Sequence, residues 1–233
     1  MSTAVRRIGV LTSGGDAPGM NAAIRAVART CFHMGIECVG IRRGFNGLIN
    51  GDDEVLNYAK VSGLTRQGGT MLYSARSTEF RTEAGIQKAV NTCKLLGLDG
   101  IVGIGGDGTF RGLHDLSEHG INVIGVPGTI DNDIACSSYT IGYDTACNTA
   151  VECIDKLQDT MQSHERCSVV EVMGHRAGHL ALYVGLACGA TSVLIPEKPV
   201  NFEEDVVEPI RRARLSGRTH FMVIVAEGVG SSY

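Results

Sequence analysis

Short apolar, β-branched runs that each end in a glycine-rich turn constrain this chain more than anything else in it. Two of them lead straight into Gly/Asp clusters: the run at 98–104 into Gly105-Gly106-Asp107-Gly108-Thr109, and the run at 121–126 into Gly128-Thr129-Ile130-Asp131-Asn132-Asp133. Runs of this length and composition are expected of strands buried in a parallel sheet. Loops leaving the carboxyl ends of such strands are where open α/β sheets bind ligands. Glycines there let backbone N–H groups approach a phosphate, and carboxylates beside them can hold Mg²⁺ or take a proton. Asp107, Asp131 and Asp133, on two neighbouring loops, are therefore a candidate phosphoryl-transfer centre.

The same alternation runs through the whole sequence. Strand-like runs fall at 8–12, 36–41, 98–104, 121–126, 167–172, 191–195 and 220–226, with helical patterns between them at 18–34, 82–96, 109–119, 140–162, 177–188 and 202–215. Such alternation implies βαβ units, hence an α/β fold with a doubly wound, mainly parallel sheet. Pro18 stands where the N1 proline of a helix would, and Thr82 and Gly97 bracket the helical pattern at 82–96 as cap residues. The stretch 42–80, broken by Gly44, Gly47, Gly51, Gly63, Gly68 and Gly69, reads as irregular. A seam near 134–140 predicts two domains, 1–138 and 139–233. The 233 residues suffice for that division, and the excess of four acidic side chains argues against non-specific nucleic-acid binding. No apolar stretch could span a bilayer or serve as a secretion signal, so no membrane partner is expected. Eight cysteines without a C-x-x-C pair read as reduced core thiols of a cytoplasmic protein.

Several further motifs bear on chemistry. Thr12-Ser13-Gly14-Gly15-Asp16-Ala17-Pro18-Gly19-Met20-Asn21 follows the first strand and opens the first helix, as an anion site or as an ordinary βα turn. Gly103-x-Gly105-x-x-Gly108 satisfies the dinucleotide fingerprint, but Asp107 inside it suits a Mg·nucleotide better than a bare pyrophosphate. In Asp131-Asn132-Asp133 one carboxylate can accept the proton of an attacking hydroxyl while another fixes a metal; the plainer reading is an Asx-rich turn. Arg76 can neutralise charge on a transferring phosphoryl group. Arg166, Arg176 and the Met173-Gly174-His175 turn, at the two ends of the strand at 167–172, can grip a sugar phosphate. His33, His114 and His119 fall on helical surfaces and read as solvated.

Taken together these residues closely resemble the ATP-dependent 6-phosphofructokinases of glycolysis. The resemblance covers residues 5–230 through Gly9-Val10-Leu11-Thr12-Ser13-Gly14-Gly15-Asp16-Ala17-Pro18-Gly19-Met20-Asn21, Gly68-Gly69-Thr70, Ser74-Ala75-Arg76, Gly105-Gly106-Asp107-Gly108, Pro127-Gly128-Thr129-Ile130-Asp131-Asn132-Asp133, Thr140-Ile141-Gly142 and Val169-Val170-Glu171-Val172-Met173-Gly174. It implies two Rossmann-like domains: an ATP-binding domain at 1–138 and a sugar-phosphate domain at 139–233, the second incomplete. It implies Asp131 as the base, with Gly15 and Arg76 stabilising the transferring γ-phosphoryl group. Gly15, Arg76, Ser77, Gly106, Asp107, Gly108 and Thr109 would line the ATP site, and Asp107 and Asp133 would hold Mg²⁺. Thr129, Ile130, Asp131, Arg166, Met173, Gly174, His175 and Glu227 would contact fructose 6-phosphate, Arg166 reaching in from a neighbouring subunit of a homotetramer. Arg25 and Arg29 would belong to an effector site. Pyrophosphate-dependent relatives carry Asp and Lys where this chain has Gly108 and Gly128, so the resemblance implies ATP as donor and ADP as product.

Three departures stand out. His175 occupies the position of the family's arginine in Met-Gly-Arg, with Arg176 one residue along. Gln158 replaces an effector-site arginine. The chain stops at Tyr233, short of the family's C-terminal third, which implies weak Mg·ATP binding and little turnover for this polypeptide alone. Two other classes remain open at this point, a Rossmann-type NAD-dependent dehydrogenase and a nucleotide-binding or regulatory homologue with little activity.

Overall fold

A computed structural model describes residues 5–230. These residues belong to two compact units. The first runs as far as Thr129 and adds Ile134–Gly142; the second comprises Ile130–Asp133 and Tyr143–Tyr233.

In the first unit, β1 (Arg7–Ser13), β2 (Glu37–Ile41), β3 (Asp53–Val55), β4 (Gly100–Gly105), β5 (Val123–Thr129) and β6 (Ile141–Gly142) form one sheet in the order β3-β2-β1-β4-β5-β6. Every pairing is parallel except β2 with β3. Helices α1 (Met20–His33), α2 (Gly44–Asn50), α3 (Glu83–Leu95) and α4 (Asp107–Glu118) connect the strands. The core gathers Leu11, Ile101, Leu113, Leu116 and Ile86 around a Phe45–Phe80 stack with ring centroids 4.2 Å apart. Thr82 caps α3 as expected, its hydroxyl accepting the Gly85 N–H at 3.1 Å, and Gly97 follows the helix with φ 63°.

Several expectations need correction. The stretch 42–80 is not uniformly irregular, because α2 and β3 lie inside it. Two glycines lower the helix propensity of α2, yet Phe45 and Leu48 are buried in the core, and tertiary packing overrides propensity. An added Cβ at Gly47 would lie 1.6 Å from the Arg42 carbonyl oxygen, so the close approach itself demands glycine. Gly19 caps α1, which leaves Pro18 outside the helix rather than at N1. The strand β5 is only partly buried, with Ile124 65% exposed.

In the second unit, β7 (Cys167–Val172), β8 (Ser192–Leu194) and β9 (Phe221–Ala226) form a parallel sheet in the order β7-β9-β8. Its core is made by Cys147, Ile154 and Met161 of α5 (Tyr143–Ser163) and Leu180, Ala181 and Val184 of α6 (His179–Ala187) against Met222, Ile224 and Ala226. A π-helical turn (Glu203–Val207) leads into α7 (Glu208–Leu215), so the helical pattern at 202–215 is one continuous coil of two pitches.

All eight cysteines are free thiols, but only Cys31, Cys38, Cys93 and Cys147 are buried; Cys136, Cys153 and Cys167 are exposed, contrary to a uniformly core role. Burial raises the Cys93 thiol to about 11 and keeps it inert. Among the described residues no helix is long and apolar enough to cross a membrane.

Candidate active site

The strand order of the first unit creates the site. Chain direction out of the sheet reverses between β1 and its neighbour β4, a topological switch point where the loops leaving the two carboxyl ends diverge and leave a crevice. Ser13 pairs with Gly105 in register, so the Thr12–Asn21 loop and the Gly105–Thr109 loop start side by side.

They are locked together. Thr109, buried at the start of α4, donates its hydroxyl to the Ser13 carbonyl at 3.0 Å. A Cβ at Gly105 would sit 2.2 Å from that hydroxyl and 2.6 Å from the Ser13 oxygen, so only glycine lets the two turns close. Gly106 is the N-cap of α4, and Asp107 and Gly108 are its first residues, exposed at the positive end of the helix. Asp107 pairs with Arg111 at 2.9 Å, one turn on. Gly14 and Gly15 are also exposed. Two sets of backbone N–H groups and one carboxylate thus sit on the rim of the crevice, a donor set suited to phosphate and its counter-ion.

Arg76 and Ser77 follow in an exposed segment whose upstream part is tied to the β1 loop: Thr12 hydrogen-bonds Thr70 and the Tyr73 carbonyl, and the Ser74 hydroxyl donates to the Gly14 carbonyl. Ser77 accepts the Phe80 N–H at 3.2 Å, which starts a short 3-10 turn. Thr129 ends β5 buried, its carbonyl accepting the Thr140 hydroxyl at 2.7 Å. Arg25 and Arg29 lie one turn apart on α1; the Nε of Arg25 is buried without a hydrogen-bond partner, and the Arg29 guanidinium sits 5.0 Å above the Tyr58 ring.

In the second unit, Asp131, Asp133 and His175 converge, each offering a ligand atom within 4.8 Å of the others. His175 Nδ1 lies 3.9 Å from Asp133 Oδ2. Asn132, with φ 52°, turns the backbone between the two carboxylates. The Met173-Gly174-His175 turn after β7 is fixed by Glu227 just past β9, whose Oε1 accepts the N–H groups of Gly174 at 3.0 Å and His175 at 2.5 Å. Gly174 at φ 141° faces the Ala177 carbonyl, and Met173 is exposed. Glu227, Met173, Gly174, His175, Asp131 and Asp133 are thus one group, with Ile130 at its start. Arg166 does not join it. It precedes β7 while the turn follows it, and six residues of strand at about 3.3 Å each separate the two by about 20 Å. Within one chain they cannot grip the same phosphate. Arg176 lines a separate cavity of about 620 Å³ with Ile195, Lys198 and Val200.

Sequence reading missed two features. Glu227 was expected only as a substrate contact, although the glycine in the 173–175 turn signals a backbone that needs an acceptor. His119 is not simply solvated: its Nδ1 meets the Asp115 carbonyl at 2.7 Å and its Nε2 meets Glu83 at 3.0 Å, and both raise its pKa above the ordinary imidazole value.

The description "Phosphofructokinase" matches residues 7–233. The ATP-dependent 6-phosphofructokinase of Clostridium botulinum is 54% identical over 228 residues, 98% of this chain and 71% of that protein's length. Among solved structures, phosphofructokinase from Saccharomyces cerevisiae superposes with a TM-score of 0.89 at 36% identity, covering 96% of this chain and 34% of that one. A pyrophosphate-dependent phosphofructokinase from Marinobacter aquaeolei shares the fold with a TM-score of 0.82 at 20% identity, over 96% of this chain and 61% of that one. A family match over nearly the whole chain and a relative more than half identical place this protein in the phosphofructokinase family.

Proposed function

We propose that this chain carries the reacting groups of an ATP-dependent 6-phosphofructokinase, moving the γ-phosphoryl group of ATP to the 1-hydroxyl of fructose 6-phosphate to give fructose 1,6-bisphosphate and ADP. The observation that carries the reading is the 54% identity to a protein of that name over 228 residues. The first unit handles ATP and the second the sugar phosphate. Gly15, Gly106, Gly108 and the start of α4 offer backbone N–H groups to the phosphates, and Thr109 keeps those turns in register. Arg76, with Ser77 beside it, meets the charge that develops on the transferred group. Asp131 accepts the proton of the sugar 1-hydroxyl. Thr129, Ile130, Met173, Gly174, His175 and Glu227 position the sugar, and Arg166 serves a neighbouring subunit's site in a homotetramer, since its place across β7 keeps it from its own.

Asp107 and Asp133 are hard oxygen donors of the kind Mg²⁺ takes, and the exposed Asp107 carboxylate makes a surface pair with Arg111. When bound, Mg²⁺ neutralises the charge of the β- and γ-phosphates. Arg25 and Arg29 are proposed as effector contacts, and the cytoplasm as the compartment, which the eight free thiols suit. A dehydrogenase reading is not favoured: it rests on Gly103-x-Gly105-x-x-Gly108, whereas the family match and the relatives named above are phosphofructokinases.

The test measures transfer of labelled phosphate from ATP to fructose 6-phosphate by protein purified free of host kinase, with Asp131→Asn alongside. In a chain extended to the length of its relatives, Asp131→Asn should lower turnover about 10²- to 10⁴-fold while ATP affinity holds. Unchanged turnover would remove Asp131 from the role; use of pyrophosphate or NAD in place of ATP would overturn the whole reading.

A further inference from the structure

The Thr12–Asn21 and Gly68-Gly69-Thr70 motifs have no assigned chemistry for Asn21, Thr12 or Thr70, yet all three tie the 67–74 segment to the first strand and helix by side-chain hydrogen bonds. Asn21 is the second residue of α1 and 2% exposed. Its Nδ2 donates to the carbonyls of Gln67 and Gly68, both at 3.1 Å, and its Oδ1 accepts the Met71 N–H at 2.7 Å. Both ends of the amide are therefore committed to one loop, 46 to 50 residues away. Thr12, fully buried, donates its single hydroxyl proton to the Tyr73 carbonyl at 3.0 Å, so the 2.8 Å contact with Thr70 is donated by Thr70. Ser74 adds its bond to the Gly14 carbonyl.

The tied segment has little of its own. Between the 3-10 turns at Leu64–Arg66 and Glu79–Arg81 no helix or strand supports the backbone, and it passes through positive φ at Gly69 and Tyr73. Buried Leu72 anchors it by packing, but an apolar anchor fixes depth and not the orientation of the peptide planes. Side-chain hydrogen bonds to both a donor and acceptors do fix that orientation. Two residues past Ser74 the segment delivers Arg76.

We propose that Asn21, supported by Thr12, is a positioning residue for the phosphoryl-donor site: it holds the 67–74 segment so that Arg76 is presented beside the β1 loop. The inference rests on the donor reading of that loop given above, but concerns a residue that touches no substrate. Asparagine is required because a carboxylate would face two carbonyl oxygens and an alanine would strand three backbone groups.

The test uses the 233-residue protein itself. Amide hydrogen exchange of the 67–71 segment and affinity for a non-hydrolysable ATP analogue with Mg²⁺ are measured in the unsubstituted protein, Asn21→Ala, Asn21→Asp, Arg76→Ala and the Asn21→Ala/Arg76→Ala pair. Asn21→Ala and Asn21→Asp should speed exchange at Met71 at least tenfold, and Arg76→Ala should leave it slow. Misplacing a positioned group by about an ångström costs up to about 10²-fold, so Asn21→Ala should weaken the analogue substantially when Arg76 is present and add nothing once Arg76 is gone. Should Asn21→Ala fail to fold, Thr70→Val and Ser74→Ala, at half-buried positions, loosen the same segment and should show the same dependence on Arg76. Unchanged exchange, or an equal loss of affinity with and without Arg76, would overturn the inference, the second result marking a purely structural tie. Failure of the unsubstituted protein to bind the analogue would overturn the donor reading, and the claim about Arg76 with it; loss of coupling in a protein that binds refutes the inference alone.

Discussion

Gly105 and Gly108 stand three residues apart in the same loop, and the structure assigns opposite signs to the same substitution at the two positions. At Gly105 an alanine Cβ would lie 2.6 Å from the Ser13 carbonyl oxygen and 2.2 Å from the Thr109 hydroxyl, and the first of these is backbone inside the sheet. Overpacking of this kind costs about 1–3 kcal/mol, and displacing the buried Thr109–Ser13 hydrogen bond adds about 0.5–1.5 kcal/mol. At about 2–4 °C per kcal/mol for a chain of this size, Gly105→Ala should melt about 3–18 °C below the unsubstituted protein. At Gly108 the same Cβ meets nothing within 4 Å, and the residue lies in the first turn of α4. Gly108→Ala therefore gains helix propensity and loses unfolded-state entropy, together up to about 1 kcal/mol of added stability. Thermal melts followed by circular dichroism, run side by side, read both. If Gly105→Ala melts with the unsubstituted protein, or Gly108→Ala falls as far as Gly105→Ala, the reasoning from loop closure fails.

The donor can be tested at the same loop: Gly108→Asp enters open space and should abolish ATP-analogue binding without a loss of stability, whereas Gly128→Lys must first push aside Ile104 Cγ2 at 2.9 Å. Calorimetry on the two single variants and the pair measures this, and retained ATP affinity in the pair would sink the glycine-based choice of ATP over pyrophosphate. His119 supplies a pH test. Its folded pKa is raised by the Asp115 carbonyl and by Glu83, so its contribution is fully present below the unfolded value of about 6.5 and is lost as pH rises through the higher folded value. Glu83→Gln should therefore lower the melting temperature at pH 5.5 and leave it nearly unchanged at pH 8.5; an equal shift at both would show that the pair does not act through charge.

How much of this was legible in the sequence depends on the range of the interaction responsible. The seven strand-like runs all became strands because a short apolar, β-branched run closed by a glycine or proline turn is a local signal, and Thr82 with Gly97 marked α3 for the same reason. The Asp131-Asn132-Asp133 motif was visible as chemistry, and the structure adds what a one-dimensional pattern lacks, the arrival of His175 from 42 to 44 residues away within 4.8 Å of both carboxylates. The short β3 was invisible since three residues carry no periodicity, and α2 was hidden because Gly44 and Gly47 argue locally against the helix that Phe45 and Leu48 impose through the core. His119 looked solvated since its partner Glu83 belongs to another helix.

The same rule explains why residues of the Thr12–Asn21 motif could be quoted without a role. A helix-start asparagine is ordinarily read as serving its own helix, because Asn side chains bond nearby backbone. Here Gly19 takes the cap position with no side-chain bond, which frees Asn21 to face sideways into the 67–71 segment. That segment has no helix or strand to hold it, while the loops after β1 and β4 inherit their positions from paired strands. The proposed phosphate site, assembled from two sheet-borne turns and one segment without regular structure, needs long-range side-chain ties only at that segment. The buried polar residues Thr12 and Asn21 sit opposite it, and Thr109 closes the other two turns on each other.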